Sequence, residues 1–199
     1  MTGRTARGRS APGPDRPPRH GNSRCLSPEP VSVGQDGGMS ELSMSESVVV
    51  YGREPAEVYE MVADVTRMGE WSPICKQCRW LDGEGLRVGA RFVGRNETPE
   101  RTWETTCTVV TADEGREVAW VVNAGWVRWS YRFEPVDGGT RVTEGWEMLP
   151  AGIVGFRERF GADADTQIAD RRETARAGIP ATLRALKAAA EAGAGPASQ

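Results

Sequence analysis

The chain has 199 residues, a formal net charge of −3 and one histidine, His20. That length buries a core without disulfide staples. Residues 1–38 hold six arginines against Asp15, Glu29 and Asp36, which leaves −6 for the remainder, a balance that argues against the phosphate-neutralising surface of a nucleic-acid binder.

Residues 1–45 are rich in Pro, Gly, Ser and Arg and show no apolar period, so they cannot repay the entropy of ordering and are expected to be disordered, as are residues 193–199. Met39 or Met44 in "GGMSELSMSES" is a candidate start of translation. The stretch "APGPDRPPRH" stands where a secretory signal needs about 7–15 apolar residues. No later run approaches the roughly 20 apolar residues of a membrane span. A cytoplasmic protein is therefore expected, with Cys25, Cys75, Cys78 and Cys107 as reduced thiols.

A folded domain is expected over 46–192. The β-branched run Ser47 to Tyr51 reads as a first strand ending at Gly52. Pro55 opens a helix carrying Val58, Met61 and Val62 on one face. "VTRMGEW" reads as a second short helix that Pro73 stops. Six strand patterns follow: "ICKQCRWL", "ARFVGRNE", "RTWETTCTVVTA", "EVAWVV", "WVRWSYRFEP" and "TRVTEGWEM". Short turn-rich links join them, of which "VDGGT" is the clearest hairpin, so the sheet is antiparallel. After Pro150, "IVGFRERF" is a short helix candidate. Ile168, Ala175, Ile179, Leu183, Leu186 and Ala190 then recur at intervals of seven, four, four, three and four, the apolar stripe of one long helix. Pro180 interrupts it and is expected to kink it. The class is α+β: a curved antiparallel sheet of about seven strands wrapped around a long C-terminal helix, with two short helices after the first strand.

Side-chain parity sorts the two faces of that sheet. Phe92, Gly94 and Asn96 share a face on one strand, Trp103, Thr105, Cys107 and Val109 on the next, Trp129, Tyr131 and Phe133 on a third, and Val142, Glu144, Trp146 and Met148 on the last. These sets read as inward. They combine many aromatics with Asn96, Thr105 and Glu144, polar groups that a solid core rarely tolerates unpaired. A mostly apolar hollow with a few polar groups is how a small-molecule site is built.

"EWSPICKQCRW" holds a Cys-x-x-Cys. On a regular strand Cys75 and Cys78 face oppositely with Cα atoms about 10 Å apart, beyond the ~7 Å that a disulfide spans. They are expected to be structural thiols that alkylate independently. A zinc site lacks two further ligands, and no metal is expected.

Without histidine in the folded part, Ser-His, Cys-His and His-metal chemistry drop out. Glu144 is the leading catalytic candidate, since burial makes a carboxyl harder to ionise. Its structural alternative is a pair with an inward arginine or a Trp N–H. Tyr131 and Asn96 are candidate donors to a ligand carbonyl, or else core groups. Trp80, Trp103, Trp120, Trp129 and Trp146 either clamp a planar ligand or fill space. "GGT" before the last strand lacks the helix and lysine of a phosphate loop.

The order of elements, with "PAEVYEMVADVTRMGEWSP", "VGARFVGRN" and "VDGGTRVTE", resembles the polyketide cyclase/dehydrase branch of the SRPBCC superfamily, the START-like, Bet v 1-like helix-grip proteins, over residues 47–192. The resemblance implies a deep apolar cavity between sheet and terminal helix. Its expected wall comprises Trp80, Phe92, Asn96, Trp103, Thr105, Trp120, Trp129, Tyr131, Glu144, Trp146, Ile179 and Leu183. The expected role is binding of a small hydrophobic, aromatic or polyketide-like molecule. The alternative it implies is an aromatase/cyclase-type enzyme using Glu144 and Tyr131, with Asn96, for acid–base assistance. No cofactor is expected, the partner is a small molecule, and monomer and homodimer both stay open.

Overall fold

The computed structural model describes residues 42–193. Of the tail expected over residues 1–45, the part through residue 41, with His20, Cys25 and Met39, lies outside the described residues, as does the C-terminus from residue 194. The first strand, β1 (Ser43–Tyr51), begins four residues earlier than its β-branched run, because Ser43 to Glu46 pair with Glu147 to Glu144 of the last strand. Pairing rather than propensity sets where it starts.

Helix α1 (Pro55–Ala63) opens with a reciprocal capping box between Glu54 and Glu57 and with Pro55 in its first turn. It buries Val58, Tyr59 and Val62. Tyr59 takes the place expected for Met61 because its ring meets Phe133 edge-on, with centroids 5.8 Å apart. A 3₁₀ helix (Val65–Glu70) follows, opened by the Asp64 carboxylate accepting from Thr66 N at 3.1 Å.

Six strands then form one sheet with β1: β2 (Cys75–Trp80), β3 (Arg91–Thr98), β4 (Arg101–Asp113), β5 (Glu117–Val122), β6 (Val127–Val136) and β7 (Gly139–Met148). Their order is β1-β7-β6-β5-β4-β3-β2, antiparallel throughout. Sequential strands from β2 to β7 are neighbours, so the short turns suffice, and α1 with the 3₁₀ helix carries the chain from one edge of the sheet to the other. In the β6–β7 turn Gly138 adopts φ 75°, a left-handed geometry that favours glycine.

Helices α2 (Pro150–Phe160) and α3 (Ala164–Ala192) complete the fold. The predicted stripe of α3, from Ile168 to Ala190, is buried. Its C-terminal end is fastened to the edge strand β1 by polar bonds as well as packing. Lys187 Nζ donates to Val49 O at 2.7 Å, Tyr51 N donates to Glu191 Oε1 at 2.8 Å, and Arg53 Nε donates to Ala190 O at 3.0 Å. The first two use backbone groups of an edge strand that would otherwise invite another chain. No described helix is long and apolar enough to cross a membrane.

Candidate functional site

A cavity of about 440 Å³ lies between the inner face of the sheet, α2 and the N-terminal half of α3. Ten of the residues assigned to a binding wall from sequence stand on it. Phe92, Asn96, Trp103 and Thr105 come from β3 and β4; Trp120, Trp129 and Tyr131 from β5 and β6; Glu144 and Trp146 from β7; and Ile179 from α3. Two do not. Trp80, on the edge strand β2, lies behind Phe92, whose ring it meets edge-on at 5.6 Å and which itself faces the cavity. Leu183 is buried one helical turn beyond Ile179, in the core cluster rather than on the side of α3 that carries Thr182 to the cavity.

The polar groups of the wall bond to one another, with one oxygen left over. Asn96 Nδ2 donates to Gly94 O and to Thr105 Oγ1, both at 3.1 Å, so its two amide hydrogens are committed. Tyr131 and Glu144 are directly opposite in the β6–β7 register, and the Tyr131 hydroxyl donates to Glu144 Oε1 at 2.8 Å. Neither an arginine nor a Trp N–H is the partner. Glu144 Oε2 is the one buried side-chain polar atom among the described residues that has no hydrogen-bond partner. Burial pushes the Glu144 pKa up to about 8, partly offset by the tyrosine bond. The Tyr131 pKa is driven well above its ordinary value by burial and by the facing carboxylate. At pH 7 the dyad is thus mostly a neutral acid beside a neutral phenol. Its unassigned donor is the carboxyl O–H.

The cysteines depart from the regular-strand geometry. Cys75 pairs with Asn96 and Gln77 with Arg95, so Lys76 is an extra residue, a β-bulge that resets the parity of β2. Cys75 and Cys78 consequently both point inward, buried, with sulfurs 3.3 Å apart and unbonded. Gly94 makes the room: a Cβ there would lie 3.2 Å from Cys75 Sγ and 3.6 Å from Cys78 Sγ. Gly69 accommodates the bulge from the other side, since a Cβ there would collide with the Lys76 carbonyl. The shared hydrogen bond lowers the Cys75 pKa and, with burial, raises that of Cys78, while burial takes Cys107 to about 12. Among the described residues no group of three or more His, Cys, Asp or Glu is arranged to hold a metal ion.

Sequence reasoning missed the lid of the cavity. Trp126, from the β5–β6 turn, tilts against Phe156 of α2 at 5.4 Å, and Phe156 meets Phe160 at 5.3 Å. The available signal was the spacing of Phe156 and Phe160, four apart on one helix face. Gly155 lets Trp126 approach, because a Cβ there would strike its ring. It also missed the mouth, where Arg101, Arg159 and Arg171 arrive from β4, α2 and α3.

Residues 41–191 match the family described as polyketide cyclase / dehydrase and lipid transport. None of the curated proteins matches the chain. Among solved structures, the polyketide-cyclase-like protein Cgl2372 from Corynebacterium glutamicum is 41% identical, with a TM-score of 0.56 over 79% of this chain and 98% of that one. The di-domain ARO/CYC StfQ from the steffimycin biosynthetic pathway is 15% identical, with a TM-score of 0.56 over 77% of this chain and 52% of StfQ. Protein NE0264 from Nitrosomonas europaea is 14% identical, with a TM-score of 0.55 over 75% of this chain and 94% of that one. The last two likenesses show the fold alone. With most of its folded length matched and a relative this similar, the chain belongs to the polyketide cyclase/dehydrase and lipid transport family.

Proposed function

We propose that this protein binds a small hydrophobic molecule, aromatic or polyketide-like, in the cavity between sheet and α3. The observation that carries the reading is a hollow of about 440 Å³ walled by indole and phenyl rings around a single neutral acid. That volume falls in the range of ligand sites, roughly 300–1,000 Å³, and a few placed polar groups in an apolar wall orient a guest. Rings of Trp103, Trp129 and Trp146 offer flat faces to a planar guest, and the Glu144 carboxyl is suited to donate to its carbonyl or phenol oxygen.

A second reading, an aromatase/cyclase-type enzyme, is favoured by one feature of the same dyad. A carboxyl with a pKa near 8 exchanges its proton close to neutral pH. In its protonated form Glu144 would polarise a ketone or give a proton to a departing hydroxyl; as the carboxylate it would take a proton from the carbon between two carbonyls. Tyr131 would hold Oε1 in place throughout.

Native mass spectrometry of freshly purified protein tests the first reading: a retained small molecule, lost on denaturation, is expected. Absence of any adduct, together with no change in tryptophan fluorescence across a panel of aromatic ligands and fatty acids, would sink it. Glu144→Gln separates the readings, since it keeps shape but cannot shuttle a proton. A binder retains affinity within about ten-fold, whereas an enzyme loses turnover by a factor of about 10² or more.

A further inference from the structure

Three arginines at the mouth, among the described residues, combine a place on the cavity wall with the lack of an acidic partner. Several arginines elsewhere find carboxylates: Arg53 with Glu57 at 2.8 Å, Arg67 with Glu70 at 2.7 Å, Arg91 with Asp82 at 2.7 Å and Arg128 with Glu117 at 2.5 Å. Arg101, Arg159 and Arg171 all line the cavity, and none makes a hydrogen bond or ion pair with a described residue. Two are held on aromatic faces, Arg101 Cζ 4.4 Å over the Trp103 ring and Arg159 Cζ 5.3 Å over Phe160, both rings being part of the wall. Stacking in this way leaves the N–H edge of a guanidinium free for an oxyanion. Arg171 is half-buried, and its pKa is lowered by burial first and then by the charges of Arg101 and Arg159, against the pull of Asp170. Glu104, the acid at the rim, is exposed and reaches only Arg79, at 4.0 Å. Three positive groups therefore converge where the apolar hollow meets water, at a Coulombic cost that a bound anion would relieve.

We propose that this mouth is an oxyanion site, at which Arg101, Arg159 and Arg171 take the carboxylate or phosphate ester of a ligand whose ring system fills the cavity. The proposal rests on the binding reading above and sharpens its ligand to an amphiphile with one anionic end. Arginine forks match both head groups bidentately.

Titration calorimetry at pH 7 and low salt with 2-naphthol, 2-naphthoate and 2-naphthyl phosphate tests it. At least one anion is expected to bind about ten-fold or more tightly than the alcohol, with the advantage shrinking as salt rises. The tighter anion identifies the head group. Arg171→Gln should remove most of that advantage, read as the ratio of anion to alcohol affinity within the same variant. Arg101→Gln, at an exposed position, supplies the same readout should Arg171→Gln fail to fold. Equal binding of alcohol and anions, or an advantage that survives in both variants, overturns the oxyanion site while leaving the apolar cavity intact. No binding by any of the three overturns both.

A separate observation concerns the cysteines. Cys75 lines the cavity, with Cys78 Sγ 3.3 Å behind it. We infer that the two form an oxidisable pair reached through the cavity by hydroperoxides. The Cys75 thiolate attacks one peroxide oxygen, the O–O bond breaks, and an alcohol (water, for hydrogen peroxide) leaves with the thiol proton. Cys78 Sγ then attacks the resulting sulfenic sulfur, forming the S–S bond and expelling the oxygen as water with the proton of Cys78. Two electrons pass from the sulfurs to the peroxide.

Hydrogen peroxide treatment of the full chain, followed by denaturing alkylation and peptide mass spectrometry, should yield a Cys75–Cys78 disulfide that dithiothreitol reverses. In Cys78→Ser the Cys75 sulfenic acid should instead accumulate and be trapped by dimedone. Full alkylation of both cysteines after peroxide, or a disulfide that excludes either, overturns the inference.

Discussion

The interior has a filled end and a hollow end, and one inward step along the sheet, two residues on each strand, separates them. Phe133 and Val142 face each other across β6 and β7, both buried, and Phe133 meets Tyr59 of α1; the next inward pair, Tyr131 and Glu144, opens on the cavity, followed by Trp129 and Trp146. Helix α3 repeats the division. Beyond Thr182 it presents Leu183, Leu186 and Ala190 to a closed core, whereas Thr174, Ala175, Gly178, Ile179 and Thr182 face the space. Volume therefore comes from small residues on the helix, not from a gap in the sheet. A Cβ at Gly178 would meet nothing within 4 Å.

That contrast can be broken from either side. The largest expected effect concerns Glu144. Its folded pKa of about 8 lies above the ordinary 4.5, so the folded chain holds a proton that the unfolded chain releases. Stability is full below about pH 4.5, declines as pH rises to about 8 and is flat above; the gap corresponds to at most roughly 5 kcal/mol. Urea titrations from pH 5 to 9 should show this decline, and Glu144→Gln should abolish it. A wild-type profile without that slope would mean that the carboxyl reaches water.

Leu186→Ala, at the filled end, should cost about 2–5 kcal/mol in the same assay. It should leave the affinity for an aromatic probe close to wild type, since the cavity lies elsewhere. Gly178→Phe, at the hollow end, should do the reverse: probe affinity falls at least about ten-fold by calorimetry as the ring occupies the space, while stability changes by no more than about 1 kcal/mol. Smallest of all, Gly178→Ala should raise stability by up to about 1 kcal/mol through helix propensity alone. If Gly178→Ala instead destabilises, α3 is more tightly covered at this point than its geometry indicates.

Much of the architecture was legible because it depends on local periods. The α3 stripe, the six strands after Pro73 and the inward sets on β3, β4, β6 and β7 follow from spacings of three to four and of two, and these hold wherever the pairing is regular. Tyr59 displaced Met61 because helix spacing defines a face only to within a residue, and the Phe133 ring chose between them. Trp80 and Leu183 were expected on the wall, yet packing into the core is not the same as lining a space. Which inward residues meet a void depends on how far α3 reaches along the sheet, and no local pattern encodes that.

By itself, then, the sequence determined the class of fold, the inward identity of Tyr131 and Glu144 and the aromatic character of the wall, since alternation along a strand needs no knowledge of its neighbours. Tertiary structure decided three things. The Lys76 bulge, a mismatch between two strands, turned Cys75 and Cys78 to the same side. The β6–β7 register gave Glu144 the phenol of Tyr131 as its partner. Folding also brought Arg101, Arg159 and Arg171 from three separate elements to one rim. Each is a relation between segments distant in sequence or between paired strands, and such relations exist only once the chain has closed on itself.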